Sequence, residues 1–158
     1  MDDLLDRIGP DADFVIWQGP ATGRFHFYRR PFGPESASNG VILPGAGYIV
    51  KMSAPGELVV MGEPWPFAEI ELRAGLNLIG LTRVDPELNR MSDLGTRIGL
   101  AFTQGIAYDP DAGRFVAFLR DFAPGSPVDR PVRVGEAYII QVRYRTVLAQ
   151  EGPPPVAP

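Results

Sequence analysis

The sequence predicts an all-β fold with two pseudo-symmetric halves, arranged as a β-sandwich or partly open barrel with one short helix per half. Two observations carry this expectation. Residues recur at a spacing of ninety: Asp3, Leu4, Arg7, Ile8 and Gly9 return as Asp93, Leu94, Arg97, Ile98 and Gly99, and Gly45, Tyr48 and Ile49 return as Gly135, Tyr138 and Ile139. In addition, 18 Gly and 17 Pro interrupt short runs rich in Val, Ile, Phe and Tyr, a composition that favours turns and short strands over long helices. A length of 158 residues with 45% hydrophobic residues suffices to bury one ordinary core. The chain divides into a domain over 1–152, with an incomplete first repeat at 1–64 and a second repeat at 65–152, and a Pro-rich tail at 153–158.

The first element is a short helix from Asp2 to Ile8, closed by Gly9, with Leu4, Leu5 and Ile8 at helical spacing. Its echo is expected to start at Asp85 as N-cap with Pro86 at the first helical position, and to run through Leu88, Met91, Leu94 and Ile98 to Gly99. Helices this short are marginal alone and must pack on a sheet.

Strands fill most of the remainder. Phe14 to Trp17 and Arg24 to Tyr28 flank a Gly-Pro-Ala-Thr-Gly turn, while Gly105 to Tyr108 and Arg114 to Leu119 flank Asp109-Pro110-Asp111-Ala112-Gly113. Both read as hairpins. Tyr48, Val50 and Met52 alternate with Ile49 and Lys51, as Tyr138, Ile140 and Val142 alternate with Ile139 and Gln141. The tyrosine faces are expected inside, with Lys51 and Gln141 toward water. Ala68 to Arg73 and Gly75 to Leu81 are expected to form a further hairpin, for which the first repeat has no equivalent. The first repeat is therefore short of about two strands, which leaves an unpaired sheet edge, or it borrows this hairpin as a shared central piece.

The run Leu43-Pro44-Gly45-Ala46-Gly47-Tyr48-Ile49-Val50-Lys51, followed by Gly56-Glu57-Leu58-Val59-Val60 and then Ile70 to Leu81, resembles a bacterial repeat module. The module's pattern is a PGKGYWV strand followed by a GWNLIGLP strand; Leu76 stands at its Trp and Thr82 at its final Pro. The resemblance implies a β-rich accessory unit of a large secreted or surface protein, often beside Ig-like or dockerin domains. It carries no catalytic residues, because its pattern positions are glycines and apolar strand residues.

The net charge of -4 and pI near 5.0 lack the basic stripe that a nucleic-acid partner requires. No run approaches the length needed to span a bilayer, and Met1 to Ile8 carries three aspartates and no apolar segment, so no signal peptide is expected in this chain. Without cysteine, neither a disulfide framework nor a thiolate metal site is available.

The polar residues offer no strong catalytic pattern. His26 is the lone histidine, no serine lies in a Gly-x-Ser-x-Gly elbow, and neither metal nor organic cofactor is expected. Glu57, Glu63, Glu69 and Glu71 supply carboxylates for a glycoside hydrolase, the most distant of the readings. Asp109 and Asp111, with Asp121, offer oxygen ligands for calcium, although a hairpin tip selects Asp, Pro and Gly for its geometry alone.

The aromatics are the stronger candidates for ligand contact: Trp65, Tyr28, Tyr108 and Trp17 are the rings expected to stack on a sugar or dock a protein. Against this, Trp17, Phe25 and Phe115 are read as core. The expected function is a non-catalytic structural or interaction module of a larger bacterial extracellular, surface or particle assembly. It would use the open sheet edge for a protein partner or self-assembly. Carbohydrate binding through exposed rings is the alternative.

Overall fold

The computed structural model describes residues 1–56, 58 and 69–153. Trp65, Glu57, Glu63 and the tail from Pro154 lie outside these described residues. The chain is mostly β, with strands β1 (Ala12–Gln18), β2 (Phe25–Tyr28), β3 (Tyr48–Met52), β4 (Glu69–Leu72), β5 (Gly75–Gly80), β6 (Phe102–Asp109), β7 (Arg114–Leu119), β8 (Ala137–Val142) and β9 (Thr146–Ala149), and helices α1 (Asp2–Ile8) and α2 (Met91–Ile98). Among the described residues the strands form three antiparallel sheets of order β2-β1-β3, β4-β9 and β5-β8-β6-β7, none of which closes.

The two expected hairpins form, with Trp17 opposite His26 in β1-β2 and Tyr108 opposite Phe115 in β6-β7. Gly23 and Gly113 close the two turns at φ 67 and 62, in the left-handed region that favours glycine. The expected alternation of β8 also forms: Tyr138, Ile140 and Val142 are buried, and Gln141 accepts a 2.8 Å bond from Gln104.

The expected hairpin between residues 68 and 81 does not form. β4 pairs with β9 and β5 with β8, so consecutive strands belong to different sheets. The reason is a corner locked by Asn77: its Oδ1 accepts Arg73 N and its Nδ2 donates to Arg73 O, both at 2.8 Å, while Gly75 turns at φ 98. The corner lets Leu72 and Ile79 enter one core from two sheets.

The second helix begins later than its cap signals suggest. Asp85 accepts Glu87 N at 2.9 Å and Leu88 N bonds Asp85 O, which makes a single turn and not a helix start. The Asp85 carboxylate also accepts Glu151 N at 2.6 Å and pairs with Arg97 at 3.3 Å, so it fastens the exit of β9. α2 starts at Met91, where Asp93 accepts Arg90 N at 2.8 Å.

Buried side chains fall into two clusters. The larger joins Leu88, Met91, Leu94 and Ile98 to Phe102, Phe118, Tyr138 and Ile140 and to Leu72 and Leu148. The smaller joins Met1, Leu4 and Leu5 to Ala12, Val15 and Tyr28. Each helix lies across its sheet by the apolar face that its spacing predicts.

Several hydrogen bonds recur ninety residues on. Asp2 N bonds Asn39 Oδ1 at 2.9 Å and Ser92 N bonds Asp129 Oδ1 at 2.8 Å. Ser53 N bonds Asp11 O at 2.8 Å, and Arg143 N bonds Ala101 O at the same length. Leu43 N bonds Tyr48 Oη and Arg133 N bonds Tyr138 Oη, each at 2.7 Å.

Candidate functional site

β3 is the strand whose surroundings differ most from the alternation that built it. Its residues from Tyr48 to Met52 pair on one side with β1 and, among the described residues, have no strand on the other. β8, by contrast, lies between β6 and β5. The consequence appears in burial: Tyr138, Ile140 and Val142 are 1%, 0% and 2% exposed, whereas Tyr48, Val50 and Met52 are each only partly buried. The difference is what stands next to each strand. β5 and the side chains of Leu72 and Leu148 complete the core around β8.

A groove of about 820 Å³ runs along β3. Ile49 and Lys51 line one side with Phe14 and Ile16 of β1, and Tyr108, Phe115 and Glu136 line the other. Tyr108 and Phe115 form an edge-to-face pair at 5.3 Å and are each half exposed, while Phe14 packs on Phe27 at 4.9 Å. The groove is therefore apolar and aromatic with one cation and one anion at its walls, beside a strand edge that has no partner strand among the described residues. That combination suits an extended chain, which supplies main-chain bonds to the edge and side chains to the walls.

The opposite edge of β5 is closed differently. The start of the β3 segment reaches it through one bridge, Ala46 to Ile79, with Gly47 N bonding Leu78 O and Gly80 N bonding Gly45 O, both at 3.0 Å. Gly47 has no room for a side chain, since a Cβ there would lie 2.6 Å from Ile79 O. Beyond the bridge the Gln18 carboxamide takes over: Oε1 accepts Leu78 N at 2.8 Å and Nε2 donates to Leu76 O at 2.7 Å. Arg73 adds a 2.8 Å bond to Ala21 O in the β1-β2 turn. Gln18 and Asn77 were not singled out by sequence; a polar residue in a strand reads simply as solvent-facing.

The expected ring candidates separate. Tyr108 is exposed and forms part of the groove. Tyr28, expected as an exposed ring, is fully buried: β2 turns Tyr28 and His26 inward and Phe25 and Phe27 outward, and the Tyr28 hydroxyl donates to Asp2 of α1 at 2.7 Å. Burial, with the Asp2 bond second, pushes its phenol up to about 12. Burial also raises Tyr48 and Tyr138. Phe25 and Phe115, expected in the core, are exposed by the same strand parity. Trp17 is partly buried, stacks on His26 at 4.6 Å and donates its indole N–H to Ser38 O at 3.3 Å. Trp65 lies outside the described residues.

The acidic candidates have structural work. Asp109 accepts Asp111 N at 3.1 Å and Ala112 N at 3.2 Å, and it pairs with Arg130 at 3.1 Å, so its oxygens hold the hairpin tip. Asp111 is exposed. Glu71 pairs with Arg145 at 2.8 Å. Among the described residues there is no group of three His, Cys, Asp or Glu side chains suited to a metal ion, and no helix long and apolar enough to cross a membrane. No protein-family model, curated protein or solved structure matches the chain.

Proposed function

We propose that the chain is a non-catalytic structural and interaction module whose β3 edge pairs with an extended segment of a neighbouring repeat or subunit. The carrying observation is the contrast between β8, whose Tyr138, Ile140 and Val142 are fully buried, and β3, whose equivalent residues stay partly exposed beside a groove. The reading takes the fold as two pseudo-symmetric copies of one β-rich unit in a sandwich or partly open barrel. The common strand order, β2-β1-β3 and β7-β6-β8, and the hydrogen bonds that recur at a spacing of ninety support it. On this reading β3 lacks the partner that β5 provides to β8. The occupant is then a strand with the character of Gly75 to Gly80, alternating and apolar. The resemblance to secreted and surface repeat modules supports a parent assembly on the bacterial exterior or a particle.

A synthetic peptide spanning Glu69 to Thr82 is the direct probe, with Trp fluorescence as readout and light scattering of the chain alone across a wide concentration range beside it. Saturable binding, or a mass that grows with concentration, supports strand acceptance. A clean monomer that ignores the peptide overturns it. In that event the exposed Tyr108 and Phe115 pair favours carbohydrate binding, for which the same fluorescence read against a polysaccharide panel is the test.

A further inference from the structure

β3 and β5 are arranged as two strands that begin to pair and then stop. Their single bridge at Ala46 and Ile79 is antiparallel, and continuing its register would set Ile49 opposite Leu76. The geometry for continuing is in place. Gly47 aims its N–H at Leu78 O, and in a strand every second residue aims its backbone groups to the same side, so Ile49 and Lys51 turn theirs toward β5 as well. What stands in the way is a side chain. The Gln18 carboxamide holds Leu78 N at 2.8 Å and Leu76 O at 2.7 Å, and it is itself fixed by a 2.8 Å bond to Gly23 O at the hairpin turn. An amide offers the same donor and acceptor as a peptide group, so one glutamine satisfies the β5 edge as a strand would.

We infer that Gln18 is an edge plug that keeps β3 from zipping onto β5, and so holds the β3 edge open for its partner. This inference rests on the strand-acceptor reading and names the device that regulates the same site. Two occupants compete for the N–H and C=O groups of Ile49: the chain's own β5 and a strand from outside. By occupying β5 first, Gln18 removes the internal competitor. An unplugged edge would be closed from within, since unpaired backbone groups pair with whatever strand lies nearest.

Residue-resolved amide hydrogen exchange on the full chain tests this, comparing wild type with Gln18→Ala and with Gln18→Thr, which is too short to reach β5 but keeps a strand-forming residue. The expected result in both variants is exchange about tenfold slower at the Ile49 amide, with Leu78 still protected because β3 has replaced the glutamine. Peptide binding to β3 falls in parallel. Faster exchange at Leu78 with Ile49 unchanged would overturn the inference, leaving Gln18 as a simple cap. Failure of both variants to fold would also overturn it, because β3 would then be unable to take over the bonds. The strand-acceptor reading fails separately, if wild type ignores the Glu69 to Thr82 peptide.

Discussion

Tyr48 and Tyr138 make the same hydrogen bond in different surroundings. Each phenol accepts a backbone N–H from five residues upstream at 2.7 Å, from Leu43 and from Arg133, yet Tyr138 is fully buried and Tyr48 only partly. Tyr138 also bonds Glu136 at 2.8 Å. Removing the hydroxyl takes away one backbone bond in each case, and at Tyr138 also the bond to the charged Glu136, which is worth more than a neutral one. Tyr138→Phe is therefore expected to cost about 2 kcal/mol and Tyr48→Phe less than about 1 kcal/mol. Urea denaturation of both variants checks this, and equal losses would mean that the Glu136 bond adds nothing to stability.

Tyr28 gives the fold a limit at high pH. Its phenol is pushed up from 10.0 to about 12, chiefly by burial and then by its bond to Asp2. In the unfolded chain it ionises near the ordinary value, so the folded state binds the proton more tightly. The stabilisation is complete below pH 10 and is lost as pH rises from 10 toward 12. Thermal melts across that window should decline more steeply for wild type than for Tyr28→Phe. Parallel curves would show that the phenol ionises freely.

The hairpins and the first helix were legible because their signals are local. Alternation, turn glycines and the Gly9 stop act within a few residues, and β1-β2, β6-β7 and α1 follow them. The segment from Glu69 to Gly80 was misjudged because its partners are remote: Glu69 sits opposite Ala149 and Gly75 opposite Val142. Adjacency suggested a hairpin, and burial of Leu72 with Ile79 in one core overrode it. Tyr28 failed for a related reason, since a four-residue strand has two possible faces and the covering helix decides between them. Of the site, the β3 strand itself was visible in the alternation of Tyr48, Val50 and Met52. The groove was only partly so, because Tyr108 and Phe115 come from a separate hairpin, β6-β7, and Gln18 was invisible because its partners Leu76 and Leu78 are brought to it by the fold.

Two separate clusters predict two separable losses. Leu5 and Leu94 are both 0% exposed, but Leu5 belongs to the smaller cluster and Leu94 to the larger. Truncation of either to Ala should cost about 2–5 kcal/mol at its own site. Leu5→Ala is expected to speed amide exchange in β1, β2 and β3 while leaving β6 and β8 protected, and Leu94→Ala to do the reverse. Acceleration spread evenly through the chain in both variants would show one cooperative core.

The link between the two sheets rests on a backbone approach that tolerates no side chain at Gly47. A Cβ there would meet Ile79 O at 2.6 Å and Ile79 N at 3.0 Å, and backbone in a paired strand has little freedom to retreat. Gly47→Ala must therefore break the Ala46 to Ile79 bridge or push the sheets apart, at about 1–3 kcal/mol. The Gln18 bonds to Leu76 and Leu78 sit beside that bridge and would be strained with it. The expected signature is local: faster exchange at the Leu78 and Gly80 amides and a lower urea midpoint, with the β6-β7 hairpin unaffected. Gly80→Ala is the milder control, since its nearest atom is Ala46 O at 3.1 Å. A Gly47→Ala variant no less stable than the Gly80→Ala control would show that the two sheets are not held at this distance and that the Gln18 and Arg73 side chains carry the junction.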